Sequence, residues 1–439
     1  MQSMLLRNGL VIDTEPAPVA HPNWDVLIEG GRIAATGPNL SAPAGTTVVD
    51  ATDRIVLPGF VDTHRHVWQA VLRSVAVNKT LMEFHKLVRQ EVGPRVRPDD
   101  LRAGTLLGAL ECLDAGVTTV QDFAYARGDR RQQRDESVYS GPDLAYPDAA
   151  LDALRTAGIR SVFGQLLTPY DQAGFREAIA LRGPGDTLLN VVAASVGPAN
   201  QEPDAVFADW QLADDLGLPI VTHVNSGPVN KRPIELLRDN GMLRANTLYI
   251  HANTLADDEL AMIGESGASV SITAAVEAQL GHGAPTIGRL RTANVNAGVG
   301  VDVVTTVAGD LFSMMRALLM SSYLSPGPRV SPADVLRMAT LDGAIALGLG
   351  DQVGSLKAGK QADIVLLRAD DLNLAGTLDP IGAVVTSAHP GNVDTVLVAG
   401  NVVKQGGRLL GHDLAEVRAN AHASARFLTA NEVPVGSPS

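Results

Sequence analysis

Cysteine is almost absent from this chain of 439 residues, in which Cys112 is the single one. One cysteine excludes an internal disulfide framework and is typical of a protein from a reducing compartment. A fold without disulfides depends on a buried core, and 45% of the residues are hydrophobic. The chain is too long for one ordinary small domain, so we expect one large barrel and a smaller domain.

Positive charge and long apolar runs are scarce as well. Lys and Arg number 35 against 48 Asp and Glu, giving a formal net charge of -13, which disfavours binding to nucleic acid. No stretch reaches the roughly 18 apolar residues that span a membrane, and the apolar run at the N-terminus is too short for a signal peptide. We therefore expect a cytoplasmic protein that binds neither nucleic acid nor a membrane.

Through the middle of the chain, buried strand candidates alternate with helix-length segments. The eight candidates are residues 55–66, 117–123, 159–165, 189–196, 218–225, 247–253, 268–273 and 299–303. Apolar runs separated by helices are typical of a parallel sheet with helical crossovers, and eight such units close a barrel. The sequence therefore predicts an α/β fold, a (β/α)8 TIM barrel.

Short strand-like runs separated by turns occur at both ends of the chain. Either end alone is too small to be stable, so we predict that both ends pair into a small composite β-sandwich domain. The expected boundaries are residues 1–56 and 357–410 for the composite domain, 57–356 for the barrel, and 411–439 for a C-terminal helix and tail.

The most informative motif is a pair of histidines, His64 and His66, at the end of the first predicted strand. Alternate side chains of a strand share a face, so both imidazoles can bind one metal ion. His223, His251 and Asp302 end the fifth, sixth and eighth predicted strands. Carboxyl ends of barrel strands converge on one mouth, so we expect these five side chains to meet. Three imidazoles and a carboxylate suit zinc or iron(II), which leave a position for a hydrolytic water.

These motifs resemble the amidohydrolase superfamily, and within it the subgroup of triazine hydrolases and cytosine and guanine deaminases. The similar segments are Leu-Pro-Gly-Phe-Val-Asp at 57–62, Gly-Val-Thr-Thr at 116–119, Met-Ala-Thr at 338–340, and residues 354–363. The resemblance implies a homodimer or higher homo-oligomer. It also implies a metal-dependent hydrolase of C–N bonds in a small cyclic or heteroaromatic nitrogen compound, with metal-bound hydroxide as the nucleophile.

In that family the metal ligands would be His64, His66, His223 and Asp302, and the cofactor would be one divalent metal ion, with zinc favoured over iron(II). Asp302 would also act as the catalytic acid and base, and His251 would position or polarise the substrate. Binuclear relatives bridge their metals with a lysine or carboxylate at the end of the fourth strand. Residues 189–198 contain neither, so we expect a single ion.

One departure from the family pattern leaves the reaction open. The subgroup usually has His-x-x-Glu after the fifth strand, whereas here Ser226 stands three residues after His223. One hypothesis is a deaminase or ring-substituent hydrolase, and the alternative is an amide or cyclic-amide hydrolase that uses Asp302 alone. A further alternative is a noncatalytic binding protein on a barrel scaffold, which the retained ligand positions disfavour.

Five residues are predicted to bind the substrate, some because their loops are expected to rim the mouth and Gln69 because the resemblance places a substrate-binding glutamine there. Two follow the first strand, two lie in the loop after the seventh, and one stands where the subgroup has its glutamate. In this order they are Trp68, Gln69, Glu277, His282 and Ser226. Packing under a loop is the alternative for Trp68 and Gln69, and a solvated loop carboxylate is the alternative for Glu277.

Overall fold

The computed structural model describes residues 3–124, 144–167, 172–180, 187–225 and 229–430. The strands are β1 (Met4–Asp13), β2 (Val19–Glu29), β3 (Arg32–Gly37), β4 (Thr47–Asp50), β5 (Arg54–Pro58), β6 (Phe60–Arg65), β7 (Val117–Asp122), β8 (Arg160–Leu166), β9 (Leu189–Ser195), β10 (Ile220–Val224), β11 (Thr247–His251), β12 (Ser269–Ile272), β13 (Asn296–Val299), β14 (Ile364–Arg368), β15 (Val393–Val398), β16 (Asn401–Gln405) and β17 (Arg408–Leu409).

The α-helices of the described residues are α1 (Leu81–Phe84), α2 (Pro98–Asp114), α3 (Ala145–Ala157), α4 (Gln172–Ala180), α5 (Pro203–Asp215), α6 (Pro233–Asp239), α7 (Asp257–Ser266), α8 (Ala274–Leu280), α9 (Ile287–Thr292), α10 (Leu311–Ser322), α11 (Pro332–Met338), α12 (Leu341–Ala346), α13 (Pro380–Thr386) and α14 (Leu414–Thr429). A 3-10 turn at Val67–Leu72 and a π-helix at His85–Val92 follow β6. Within these ranges, no helix is both long and apolar enough to cross a membrane.

Strands β6 to β13 form an eight-stranded parallel sheet in chain order, with helices between successive strands. The barrel closes where the chain beyond β13 returns to β6. There the Asp302 N–H donates to the His64 carbonyl at 2.8 Å, and the His66 N–H donates to the Asp302 carbonyl at 2.9 Å. The topology confirms the predicted (β/α)8 barrel, and its closure brings Asp302 beside the paired histidines.

Two of the predicted barrel strands differ from the observed strands by more than two residues at one end or both. The predicted strand 55–66 is divided at Gly59: β5 belongs to the second sheet and β6 opens the barrel. A β-carbon at Gly59 would lie 2.1 Å from Thr118 Oγ1, so only glycine fits where the chain passes between the sheets. The predicted strand 299–303 instead runs over Asn296–Val299, because its partner β12 ends at Ile272. Asp302 therefore lies three residues beyond its strand, where the chain pairs only with β6.

The second sheet contains nine strands, β1–β5 from the beginning of the chain and β14–β17 from its end. The two groups join where β5 pairs with β14, from Pro58 opposite Ile364 to Arg54 opposite Arg368. The composite β domain formed by both chain ends is thereby confirmed. The exact domain boundaries stay a prediction. Helix α14 packs on α2, and the Arg97 guanidinium lies 3.7 Å from the centre of the Phe427 ring.

A buried ion pair links the barrel to the second sheet. Arg160 of β8 donates through Nε and Nη2 to both carboxylate oxygens of Asp363, at 3.0 and 2.9 Å, and each side chain is 1% exposed. Asp363 also accepts the Ala399 N–H at 2.8 Å, and its carbonyl accepts the Gly59 N–H at 2.8 Å. Because both charges are out of water, removal of either partner leaves the other charge buried without compensation.

We predict that Asp363→Ala lowers the free energy of unfolding by about 3–5 kcal/mol, the usual effect of breaking a buried pair. The measurement is urea unfolding followed by circular dichroism. The control is Asp215→Ala, which removes the exposed 2.6 Å pair with Arg176 and should leave the midpoint almost unchanged because solvent screens that pair. Equal losses in the two variants would contradict a special role for the buried pair.

Candidate metal centre

Four imidazoles and one carboxylate meet at the carboxyl-terminal mouth of the barrel. The ring centre of His64 lies 4.9 Å from the centres of His66 and of His223, and 5.9 Å from that of His251. Asp302 Oδ2 is 3.8 Å from His251 Nε2. The structure therefore brings together all five side chains that the strand-end pattern predicts, although Asp302 reaches the site from beyond its strand.

The ligand atoms are spaced as they would be around one cation. Asp302 Oδ1 lies 3.3 Å from His64 Nε2 and 3.5 Å from His66 Nε2. Tetrahedral ligands at about 2.0–2.1 Å from zinc are separated by about 3.3–3.4 Å. The ligand nitrogens of His64, His66 and His223 all lie within 4.8 Å of one another. His64 Nε2 is buried and makes no hydrogen bond within the described ranges, which is the state of a lone pair that an ion would satisfy.

Strand β7 orients the paired histidines from behind. Gln121 Oε1 lies 3.2 Å from His64 Nδ1, and the Phe123 carbonyl lies 2.8 Å from His66 Nδ1. These oxygens only accept hydrogen bonds, so each Nδ1 donates and each Nε2 lone pair faces the centre. Sequence reasoning missed Gln121, although the period-two alternation of β7 could have indicated that its side chain points into the barrel.

The electrostatics keep these groups ready to bind a cation at neutral pH. Burial and the nearby His64 lower the pKa of His66 to about 3, and the same two causes lower the pKa of His223 well below its ordinary value. Burial raises the pKa of Asp302, but the close contact with His64 and the other surrounding imidazoles outweigh it and hold that pKa below its ordinary value. His66 and His223 are therefore neutral and Asp302 is ionised.

Three residues with a strained backbone conformation lie at the same place. His251, Ala252 and Asp302 have φ angles of 77°, 62° and 67°, in the left-handed region that residues with a β-carbon seldom occupy. Such conformations cost on the order of 1–3 kcal/mol each and persist where the surroundings enforce them, often at functional sites.

Arg65 and Asp122, the polar residues next to the histidines, make hydrogen bonds that stabilise the fold. The Arg65 side chain points away from the centre, where Nη1 donates to the Gly309 carbonyl at 2.9 Å and Nη2 to Glu111 Oε2 at 2.5 Å. Asp122 accepts the Val67 N–H at 3.2 Å and so fixes the 3-10 turn that follows β6. Neither side chain contributes an atom to the predicted ligand set.

The predicted substrate residues of the first loop are buried in its base. Trp68 and Gln69 are each 1% exposed within the 3-10 turn. Helix α2 approaches this turn so closely that a β-carbon at Gly104 would lie 2.1 Å from the Trp68 carbonyl oxygen. Their roles in substrate binding stay predictions. Ser226 lies outside the described residues.

His282 and Glu277 lie on the opposite wall of the site. The His282 ring centre is 4.3 Å from that of His251, and neither ring nitrogen has a hydrogen-bond partner in the part of the chain that the structure describes. Glu277 contacts His251, with 3.4 Å between Oε1 and Nδ1. Both predicted residues therefore reach the site, but Glu277 does so from helix α8 and is buried, so its prediction as a loop residue was wrong. Of the two, only His282 has polar atoms without partners.

The sequence pattern of the amidohydrolase family matches residues 55–403. The chain belongs to the amidohydrolase family. This amidohydrolase is 30% identical to a 5-methylthioadenosine/S-adenosylhomocysteine deaminase of Symbiobacterium thermophilum, over 98% of this chain and 99% of the relative. It is 29% identical to a 5'-deoxyadenosine deaminase of Methanothermobacter thermautotrophicus, over 92% of this chain and 94% of that protein.

Solved structures show the same fold. A zinc-bound adenosine deaminase from Xanthomonas campestris superposes with a TM-score of 0.84 at 24% identity, covering 97% of this chain and 98% of its own. Atrazine chlorohydrolase from Arthrobacter aurescens TC1, as a mutant complexed with zinc and atraton, gives 0.83 at 21% identity, covering 96% and 100%. Family membership and the named relatives identify this amidohydrolase as a metal-dependent hydrolase of C–N bonds. The noncatalytic alternative is therefore not supported.

We predict that His64→Ala and His223→Ala each remove most of the bound metal, because each deletes a nitrogen that faces the centre. Metal content per chain is measured by inductively coupled plasma mass spectrometry after purification. The control is His282→Asn, which changes a neighbouring imidazole outside the predicted ligand set and should keep the metal content of the unaltered protein. Full metal content in both alanine variants would contradict the ligand assignment.

Proposed function

We propose that this amidohydrolase is a mononuclear zinc-dependent deaminase that removes the exocyclic amino group of an adenosine-derived compound. The observation that carries the proposal is the convergence of His64, His66, His223 and Asp302 on one point. This convergence occurs in a chain that matches adenosine-derivative deaminases almost from end to end. The relatives' names support an aminopurine as the substrate class.

The donor set supports one zinc ion, with iron(II) as the alternative. Three imidazole nitrogens and one carboxylate match the ligands of a catalytic zinc site. Strand β9 ends in Ala-Ala-Ser and supplies neither a lysine nor a carboxylate that could bridge a second ion. When bound, the cation supplies Lewis acidity that makes a water nucleophilic near neutral pH.

Asp302 is the group placed to move protons. Its Oδ1 faces His64 and His66, and its Oδ2 faces His251 at 3.8 Å, so the carboxylate lies between the ligand nitrogens and the wall formed by β11. An ionised carboxylate there can accept a proton from the attacking water and then return it to the departing amine. Asp302 is thus both the ligand and the acid–base residue of the proposal.

His282 is the side chain best suited to recognise a heteroaromatic ring. It is 7% exposed, and burial together with the nearby His251 lowers its pKa to about 4, so the ring is neutral at pH 7. A neutral imidazole has one donor and one acceptor, and both are available here. These groups complement the ring nitrogens and amino groups of a purine.

Hydrolysis of an amide or cyclic amide is the second candidate function, and one observation favours it. Ser226 replaces the glutamate that the family resemblance associates with proton transfer to a ring nitrogen. Hydrolysis of an amide needs no proton transfer to a ring nitrogen, so Asp302 alone can serve as the acid and the base. The end-to-end similarity to proteins named deaminases ranks this function below the first.

We predict that the zinc-loaded protein releases ammonia from at least one of 5'-methylthioadenosine, S-adenosylhomocysteine, 5'-deoxyadenosine and adenosine. A coupled glutamate dehydrogenase assay measures the ammonia. Removal of the metal with a chelator should abolish the rate, and added zinc should restore it. Ring opening of dihydrouracil or hydantoin, with no ammonia from the four nucleosides, would overturn the deaminase proposal in favour of the second candidate.

We predict that Asp302→Asn lowers kcat by about 10²- to 10⁴-fold, the range expected on loss of an acid–base group, while the protein stays folded. Metal content is measured on the same samples, so a slow variant that still binds metal separates proton transfer from ligation. The control is Asp310→Asn, in the same loop, whose side chain caps α10 by accepting the Ser313 N–H at 2.8 Å. Its kcat should stay near that of the unaltered enzyme, and an equally fast Asp302→Asn would contradict the assignment.

A further inference from the structure

Glu277 of α8 is buried beside the site, and both of its carboxylate oxygens accept hydrogen bonds from neighbouring residues. Its exposed fraction is 3%. Oε1 accepts the Thr273 N–H at 2.8 Å, and Oε2 accepts a hydrogen bond from Asn253 Nδ2 at 3.1 Å. Oε1 also lies 3.4 Å from His251 Nδ1. Glu277 is therefore placed to hold His251, although the sequence predicted that it binds substrate.

The directions of these hydrogen bonds bear on which nitrogen of His251 carries the proton. Both oxygens of Glu277 accept N–H groups, Oε1 from Thr273 and Oε2 from Asn253. Thr273 Oγ1 lies 3.4 Å from Glu277 Oε1 and 3.2 Å from His251 Nδ1. The Thr273 hydroxyl can donate to Oε1, and one of its lone pairs then faces Nδ1. In this arrangement both neighbours of Nδ1 accept hydrogen bonds, and Nδ1 is the donor.

The opposite nitrogen of His251 faces the centre of the site. Nε2 lies on the side of Asp302, 3.8 Å from Oδ2. With the proton on Nδ1, Nε2 has a lone pair and can only accept a hydrogen bond. An acceptor at this position matches a substrate or a water that presents an N–H or O–H group.

The backbone at His251 is strained, so the surrounding contacts must hold the residue in this conformation. His251 and Ala252 are both left-handed, and the Ala252 N–H is held by the Val224 carbonyl at 2.9 Å. Such strain persists only where several contacts determine the conformation. The contact with Glu277 supplies a side-chain restraint at the residue whose backbone is strained.

We propose that Glu277 is a positioning residue that fixes His251 as the Nδ1–H tautomer and thereby directs an acceptor, Nε2, at the amino group of the substrate or at the attacking water. The role in turnover rests on the proposed deaminase function, whereas the tautomer itself does not. The wall formed by β11 and α8 thus supplies an acceptor in a chain that has Ser226 where its subgroup carries a glutamate.

The test begins with nitrogen-15 NMR of the zinc-loaded full chain labelled at histidine, with His251 assigned by the signals that His251→Asn removes. We expect the unaltered protein to show a protonated Nδ1 and an unprotonated Nε2. In Glu277→Gln the amide can donate to Nδ1, so the population should shift toward the Nε2–H tautomer. An Nε2–H tautomer in the unaltered protein would overturn the proposal. Because that spectrum is recorded on the unaltered protein, it tests the proposal even if the Glu277→Gln variant does not fold.

Kinetics of the same variant test the consequence for turnover. Glu277→Gln should lower kcat by about 10- to 100-fold, as is typical for partners that orient a ligand or catalytic imidazole, with little change in KM. The control is Glu259→Gln: Glu259 is 1% exposed and accepts the Ile234 N–H at 3.0 Å, without contact to His251. Its tautomer signals and kcat should match those of the unaltered enzyme.

The outcomes separate this inference from the proposed function. An Nδ1–H tautomer that depends on Glu277, in a protein that releases no ammonia from any nucleoside, supports the positioning role and contradicts the deaminase proposal. An active deaminase whose His251 tautomer and kcat are unchanged in Glu277→Gln contradicts the positioning role alone.

Discussion

The site depends on a close approach of two backbone segments, β6 and the chain that follows β13. Asp302 exchanges backbone hydrogen bonds with His64 and His66, so the segment that closes the barrel also sets the distance between the carboxylate and the imidazoles. A β-carbon at Gly300 would lie 2.9 Å from the backbone N and O of His64, so the approach requires glycine. Asp62 adds to the same junction by accepting the Val301 N–H at 3.0 Å. The distances between the Asp302 carboxylate and the imidazoles are thus set by the closure of the barrel.

Around this junction, three of the four imidazoles are oriented by partners of different kinds. Gln121 supplies a side-chain carbonyl to His64, Phe123 a backbone carbonyl to His66, and Glu277 a carboxylate to His251. Carbonyl oxygens thus hold His64 and His66, whereas a carboxylate holds His251. The difference agrees with a division of labour in which His64 and His66 bind the cation and His251 acts on the substrate.

Much of the fold and most of the proposed ligand set could be predicted from the sequence because their signals are local. Buried runs that end in histidine identify His64, His66, His223 and His251 without knowledge of any long-range contact. The placement of Asp302 could not be predicted in detail, because the end of β13 is set by the end of its partner β12. The division of the first strand at Gly59 likewise depends on Thr118, which lies in another strand.

The joining of β5 to β14 has a consequence for synthesis on the ribosome. Residues 54–58 pair with residues 364–368, so the amino-terminal strands emerge long before the strands that complete their sheet. Until then the nascent chain carries an unpaired edge of apolar β-structure, which is a template for intermolecular association. A chain truncated before β14 would retain every residue of the proposed metal centre and still carry that edge.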